Sequence, residues 1–241
     1  MSKKVIGITG CEGFFGKNLA GFFSKNKNFL VLGINKESFN DDYKLRNFLK
    51  KVDIIIHLAG VNRDEDQDKL YDMNIQITER LILFMEEYNN IDNLIFSSST
   101  QESLENKYGE SKKESREILH KFCLEKNVKF TGLVLPNIFG PYGKPFYNSV
   151  ITTFCHQVIN SETPKIINDK KIDFIHVVDV CEIIENIIKT GYYSKKLLIN
   201  GTYSTKISKA LDLINSYKEG SYSPQLNRFE QDLLKTFRHY E

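Results

Sequence analysis

Val5-Ile6-Gly7-Ile8-Thr9-Gly10-Cys11-Glu12-Gly13-Phe14-Phe15-Gly16 decides the fold. The run opens as a short apolar segment, the pattern of a strand buried on both faces. Glycines follow at positions 10, 13 and 16. Gly10 permits a tight turn out of the strand, Gly13 lets backbone N–H groups approach a pyrophosphate, and Gly16 lets the next helix pack closely on the sheet. Gly16 to Ser24 then has helical spacing, with Leu19, Phe22 and Phe23 sharing a face. The helix N-terminus turns its partial positive charge toward the place phosphates would occupy. This order of strand, glycine turn and helix predicts a dinucleotide site with Gly10, Glu12, Gly13, Phe14 and Phe15 around it. Phe14 borders the cofactor, and the carboxylate of Glu12 is expected to turn to solvent. Cys11 reads as a small neutral filler.

Outward from that stretch the chain alternates. Phe29–Ile34, Asp53–Leu58, Leu94–Ser97 and Phe130–Leu135 read as further buried strands. Leu45–Lys51, Leu70–Tyr88 and Tyr108–Lys126 read as helices. Strands apolar on both faces, separated by helices, predict an α/β fold: a Rossmann-type parallel sheet with helices on both faces. Residues 136–148 break the rhythm, with Pro136, Pro141 and Pro145 in one long loop. Helices near 149–160, 179–190, 206–218 and 227–240 follow, with short strands near 165–167, 173–178 and 196–200. Asp179 is expected to cap the helix after it. The expectation is one domain over 1–241, a dinucleotide-binding core at 1–135 and a small substrate-binding elaboration at 136–241.

Composition excludes several classes. The formal net charge is +2 over 241 residues, and the lysines are scattered among acids. No nucleic-acid or membrane-surface partner is expected. No apolar run reaches the roughly 18 residues that span a bilayer. Cys11, Cys123, Cys155 and Cys181 lie far apart with no CxxC pair, so neither a metal site nor a disulfide framework follows. The expected setting is reduced, soluble and cytoplasmic.

The chemistry sits at two further places. Tyr108-Gly109-Glu110-Ser111-Lys112 places Tyr108 and Lys112 four apart on one helix face. A lysine charge lowers the tyrosine pKa, which suits Tyr108 to exchange a proton with a sugar carbonyl or hydroxyl. Upstream, Phe96-Ser97-Ser98-Ser99-Thr100 closes a strand, and a hydroxyl there reaches the same oxygen. At the second strand's end stand Gly33-Ile34-Asn35-Lys36, with no carboxylate until Glu37. An acidic side chain there binds the ribose of NAD, whereas a basic one suits the extra phosphate of NADP. Asn35 and Lys36 therefore favour NADP(H), with NAD(H) the alternative and a plain surface lysine the other reading of Lys36.

These motifs resemble the extended short-chain dehydrogenase/reductases. The resemblance rests on Thr9 to Gly16, His57-Leu58-Ala59-Gly60, Asn74, Ser99, Tyr108 with Lys112, Asn137, Gly140-Pro141, and Phe174 to Val180. It implies cofactor contacts from Leu58, Ala59, Gly60, Asn74, Tyr108, Lys112 and Pro136. A narrower likeness, to UDP-2-acetamido-2,6-dideoxy-hexulose reductases of capsule and O-antigen precursor synthesis, rests on Val61-Asn62-Arg63 and on Lys144-Pro145 to Ile151. It implies NADPH-dependent reduction of a UDP-4-keto-6-deoxy-N-acetylhexosamine. Tyr108 would give the proton, Ser99, with Ser98 the runner-up, would polarise the carbonyl, and Lys112 would hold the ribose. Asn137, Lys144 and Asn148 would line the sugar nucleotide. Arg63 would lie near it, with a surface salt bridge the alternative.

That subgroup carries a metal-binding cupin domain that epimerises the sugar. The five histidines here form no HxH cluster, so the metal and the epimerisation are expected to be absent or supplied by a separate cupin partner. The strand-five arginine common in the subgroup is Val134 here. A homodimer through the helices at 70–88 and 108–126 is expected. The competing readings are an NAD-dependent epimerase or dehydratase and a non-catalytic dinucleotide-binding sensor. Gln101 and Glu102 after Thr100 fit a dehydratase poorly, and the presence of both Tyr108 and Lys112 speaks against the sensor.

Overall fold

The computed structural model describes residues 3–241. The chain divides into two compact units: the chain up to Leu135 with Ile183–Ile199, and Pro136–Glu182 with Asn200–Glu241. The break after Leu135 falls where the proline-rich loop begins. The stretch Ile183–Ile199 returns to the first unit, beyond the division expected from sequence.

In the first unit β1 (Lys4–Thr9) leads to α1 (Phe14–Phe23), and β2 (Phe29–Ile34) to α2 (Lys36–Asn40) and α3 (Asp42–Leu49). Then come β3 (Ile54–His57), α4 (Gln67–Met85), β4 (Asn93–Ser99), a 3-10 turn at Thr100–Ser103, α5 (Lys107–Glu125) and β5 (Lys129–Leu135). The sheet runs β2-β1-β3-β4-β5 and is closed by β8 (Ser194–Leu198). Every pairing in it is parallel. Strand order reverses between β1 and β3, so a crevice opens at their carboxyl ends, where such sheets bind ligands. Helices start where side chains cap them: Asp41 accepts from Lys44 N, Asp66 from Lys69 N and Asn106 from Gly109 N. The core joins Leu45, Leu49, Val52, Ile55, Leu81, Leu94 and Leu119. Burying each such side chain contributes roughly 1.5–3 kcal/mol.

The second unit holds β6 (Asn137–Phe139), α6 (Val150–Ile159), β7 (Lys171–His176), the first residues of α7 (Val177–Thr190), β9 (Tyr203–Lys206), α8 (Ile207–Glu219) and α9 (Arg228–Arg238). A small sheet runs β6-β7-β9, the first pair parallel and the second antiparallel. Phe139, Phe154, Ile214, Leu233 and Phe237 form its core. Residues 165–167 are not a strand; Ile166 rests on the core while Ile167 faces solvent. Asp179 does not cap α7, because the helix already begins at Val177. Its carboxylate instead pairs with Arg228 and accepts from Thr202 Oγ1 at 3.2 Å. Among the described residues no helix is long and apolar enough to cross a membrane.

Candidate active site

The site in the first unit begins at the ends of β1, β3 and β4, where Thr9 pairs with His57 and His57 with Phe96. Thr9 Oγ1 accepts from the amides of Leu58 and Ala59, both at 3.1 Å. With both lone pairs engaged, its own proton goes to His57 Nδ1 at 2.7 Å, which leaves the ring proton on Nε2. The ring stacks between Phe39 and Phe96. Burial, with the charge of Lys112 nearby, drives the His57 pKa down to about 3. His57 is thus a neutral strut that shapes the turn at Leu58-Ala59. Thr9 ties that turn to the glycine loop, a role its place in the motif did not reveal.

The glycine loop has the shape the sequence required. Gly10 adopts φ +69, open to few other residues. A Cβ on Gly16 would meet Gly10 O at 2.4 Å, so the close approach of α1 needs glycine there. The N-cap of α1 is Gly13, with no side chain bonded to the first turn. Amide donors of that turn are therefore left to phosphates, and these residues fit a dinucleotide. Phe14 and Phe15 are half-buried in the first turn. Glu12 is exposed, as expected, but its Oε1 accepts from Asn35 Nδ2 at 3.1 Å. Lys36 is exposed at the start of α2.

Asn74 is buried, and its amide serves the chain itself. It accepts from Val61 N at 2.7 Å and donates to Val61 O at 2.8 Å and to Ser111 Oγ at 3.0 Å. It fixes the loop after β3 against α5. Arg63 lies exposed on that loop.

On α5, the Lys112 ammonium lies 4.3 Å from the Phe96 ring centroid, and a Cβ on Gly60 would sit 3.8 Å from it. Burial pushes Lys112 down to about 8, while the carboxylate of Glu102 pulls it upward. Tyr108, one turn before, is half-buried. Ser98 and Ser99 part company at the end of β4. Ser98 is buried and donates to Glu102. Ser99 is half-buried and accepts from Gln101 N at 3.2 Å, capping the 3-10 turn. Ser99 is the one whose hydroxyl proton is not committed to Glu102.

Glu102 is 1% exposed and Arg116 2%. Arg116 grips Glu102 with both arms, Nε to Oε1 at 2.8 Å and Nη2 to Oε2 at 3.0 Å. Lys196 adds a cation at 3.5 Å. Burial opposes the charged carboxylate, but the bonds from Arg116 and Ser98 outweigh it and hold Glu102 below the usual carboxylate range. Gly109 completes the joint. A Cβ there would lie 2.0 Å from Gln101 O, so glycine alone lets α5 seat against the turn that follows Ser99.

In the second unit Pro136 is buried, while Asn137 is exposed and donates to Asp173 O at 3.4 Å. Lys144 and Asn148 lie on the exposed loop after β6, with Lys144 Nζ 5.8 Å from the Tyr147 ring. Tyr142 and Phe146 on that loop adopt φ of 69 and 59, strained for bulky side chains. Among the described residues no three His, Cys, Asp or Glu side chains gather to hold a metal.

The NAD dependent epimerase/dehydratase family matches residues 6–196. The UDP-2-acetamido-2,6-beta-L-arabino-hexul-4-ose reductase of Pseudomonas aeruginosa is 28% identical over 222 residues, 92% of this chain and 56% of that protein. The crystal structure of the capsular polysaccharide assembling protein CapF of Staphylococcus aureus superposes with a TM-score of 0.85 at 28% identity, covering 98% of this chain and 65% of that one. The chain thus spans less than two thirds of either. A UDP-glucose 4-epimerase of Thermotoga maritima shares the fold, with a TM-score of 0.82 at 17% identity.

Proposed function

We propose a function from one premise: this chain belongs to the NAD dependent epimerase/dehydratase family. It is an NAD(P)-dependent oxidoreductase acting on a nucleotide sugar. The finer reading is reduction of a UDP-4-keto-6-deoxy-N-acetylhexosamine, in the synthesis of bacterial surface polysaccharide precursors. A reduced nicotinamide supplies the hydride when bound. Tyr108 gives the proton to the carbonyl oxygen, and Ser99 donates a hydrogen bond to that oxygen. Lys112, on the Tyr108 face of α5, is pushed down to about 8 by burial, and its charge eases proton release from Tyr108. Within the second unit, Asn137, Lys144 and Asn148 are the side chains offered to a sugar nucleotide.

One observation carries the choice of reduction over dehydration. A dehydratase needs an acid and a base beside its strand-end hydroxyl. Here Gln101 is neutral, and the carboxylate of Glu102 is sealed by Arg116 and Ser98. Asn35 and Lys36 alone favour NADPH as the donor; the carboxylate bonded to Asn35 favours NADH. We also propose a homodimer through α4 and α5, whose Leu83 and Leu124 are 60% and 73% exposed.

Incubation with UDP-4-keto-6-deoxy-N-acetylhexosamines and each reduced cofactor tests the reading, with mass spectrometry showing a product richer by a hydride and a proton. Tyr108→Phe should cut turnover by about 100-fold or more while cofactor still binds. Unchanged turnover in that variant would remove Tyr108 from its role.

A further inference from the structure

The glycine loop and the end of β2 are joined by more than backbone. Ile34 O accepts from Gly10 N at 3.0 Å and from Cys11 N at 3.5 Å. Those bonds carry Glu12 alongside the chain as it leaves β2. Asn35 then fixes the carboxylate. Its Oδ1 accepts from Ser38 N at 2.9 Å as the N-cap of α2, and its Nδ2 donates to Glu12 Oε1 at 3.1 Å. The amide has one acceptor end and one donor end. The cap takes the acceptor, so the donor must face an acceptor, and Glu12 is that acceptor.

We propose that Glu12 reads the adenosine ribose and selects NADH over NADPH, an inference resting on the glycine loop being a dinucleotide site. In this fold an acidic group at the end of the second strand accepts from the ribose 2′-hydroxyl of NAD. The strand itself supplies only the neutral Asn35. The carboxylate comes from the preceding loop instead, handed to the same place by the Asn35 amide. Two effects then oppose NADPH. A 2′-phosphate would bring about −1.5 to −2 charges beside Glu12, with Glu37 in the first turn of α2. The bond to Asn35 would also have to break for Glu12 to swing away. Lys36 acts the other way. It is a flexible, exposed point charge, and ordering it costs side-chain entropy, whereas Glu12 is already held. Both groups are open to solvent, so screening keeps the discrimination to about tenfold.

Fluorescence titration of the whole chain with NADH and with NADPH tests this without any sugar substrate. Wild type should bind NADH about tenfold more tightly than NADPH. Glu12→Gln should bring the two within about threefold, and Glu12→Lys should invert the order. Glu12 is exposed, so neither change threatens folding. A wild type that prefers NADPH overturns the proposal, as does a ratio untouched in Glu12→Gln. Both of those results leave the reductase reading standing. A Lys36→Ala variant that shifts the ratio more than Glu12→Gln also overturns it. Failure to bind either dinucleotide sinks the site itself, and the role of Glu12 with it.

Discussion

In the first unit Thr9, His57, Phe96 and Ser99 stand at the ends of adjacent parallel strands, and each is pinned by a named bond or stack. In the second, Asn137 sits on a three-residue strand, and Lys144 and Asn148 ride an exposed loop with two strained aromatic residues. The first is built to hold atoms in place; the second offers side chains that can be exchanged. Under the proposed function, the contrast would separate the chemistry, which tolerates little displacement, from recognition of a particular sugar.

The largest effect expected is at the joint between the 3-10 turn and α5. Gly109→Ala puts a Cβ 2.0 Å from Gln101 O. We expect a loss of about 3 kcal/mol in urea denaturation and a fall in kcat/KM of about 100-fold, since Ser99 and Tyr108 would part. A variant that folds and turns over normally would break the contrast, because the first unit would not be the rigid one.

Lys112 gives the next effect, with opposite sign. Its folded-state pKa is about 8 against an ordinary 10.5. Between those values the unfolded chain keeps a proton that the folded chain has released, so stability from this residue rises with pH across that window. Below pH 8 the cost of the buried charge is fully present, at up to about 3 kcal/mol. Lys112→Met should therefore be more stable than wild type at pH 7, with the gap narrowing toward pH 10, and should lack turnover. Parallel denaturation of both proteins at the two pH values decides it; a gap that does not change with pH contradicts a depressed Lys112.

The smallest effect is expected in the second unit. Arg228 is 62% exposed where it pairs with Asp179. Thr202 still donates to Asp179 when the arginine is gone, so Arg228→Ala should cost less than about 1 kcal/mol by thermal or urea melting. A loss above about 2 kcal/mol would show this unit too leaning on buried charge, and would blur the distinction drawn above.

How much was legible follows the same division. Strand, glycine turn and helix are neighbours in sequence, so the shape of the Gly10 to Gly16 turn and the shared helix of Tyr108 and Lys112 could be read from spacing. What spacing hid was a side chain serving another segment. Asn74 was expected among the cofactor contacts; its bonds to Val61 and Ser111 are a structural role that spacing did not show. Glu102 entered only as part of a poor match to a dehydratase, yet it anchors Ser98 and Arg116. Gly109 lay in plain view within the Tyr108 motif, but its need appears only once Gln101 O is placed against it. In the second unit β6 and β9 escaped notice because three- and four-residue strands have too little periodicity, and their partners lie more than thirty residues away or on the far side of a helix. The run at 165–167 shows the reverse error: a few apolar residues without a pairing partner stay irregular.

The Glu102–Arg116 pair has a consequence for descent. Losing Arg116 leaves Glu102 with only Ser98 and the half-exposed Lys196, and losing Glu102 leaves Arg116 with only Glu117, at a cost of up to about 3–5 kcal/mol. The two positions are therefore inherited as one. A lineage reaches a neutral, well-packed version only by changing both together, and a laboratory library that varies single codons will find each of them frozen while the double exchange lies open.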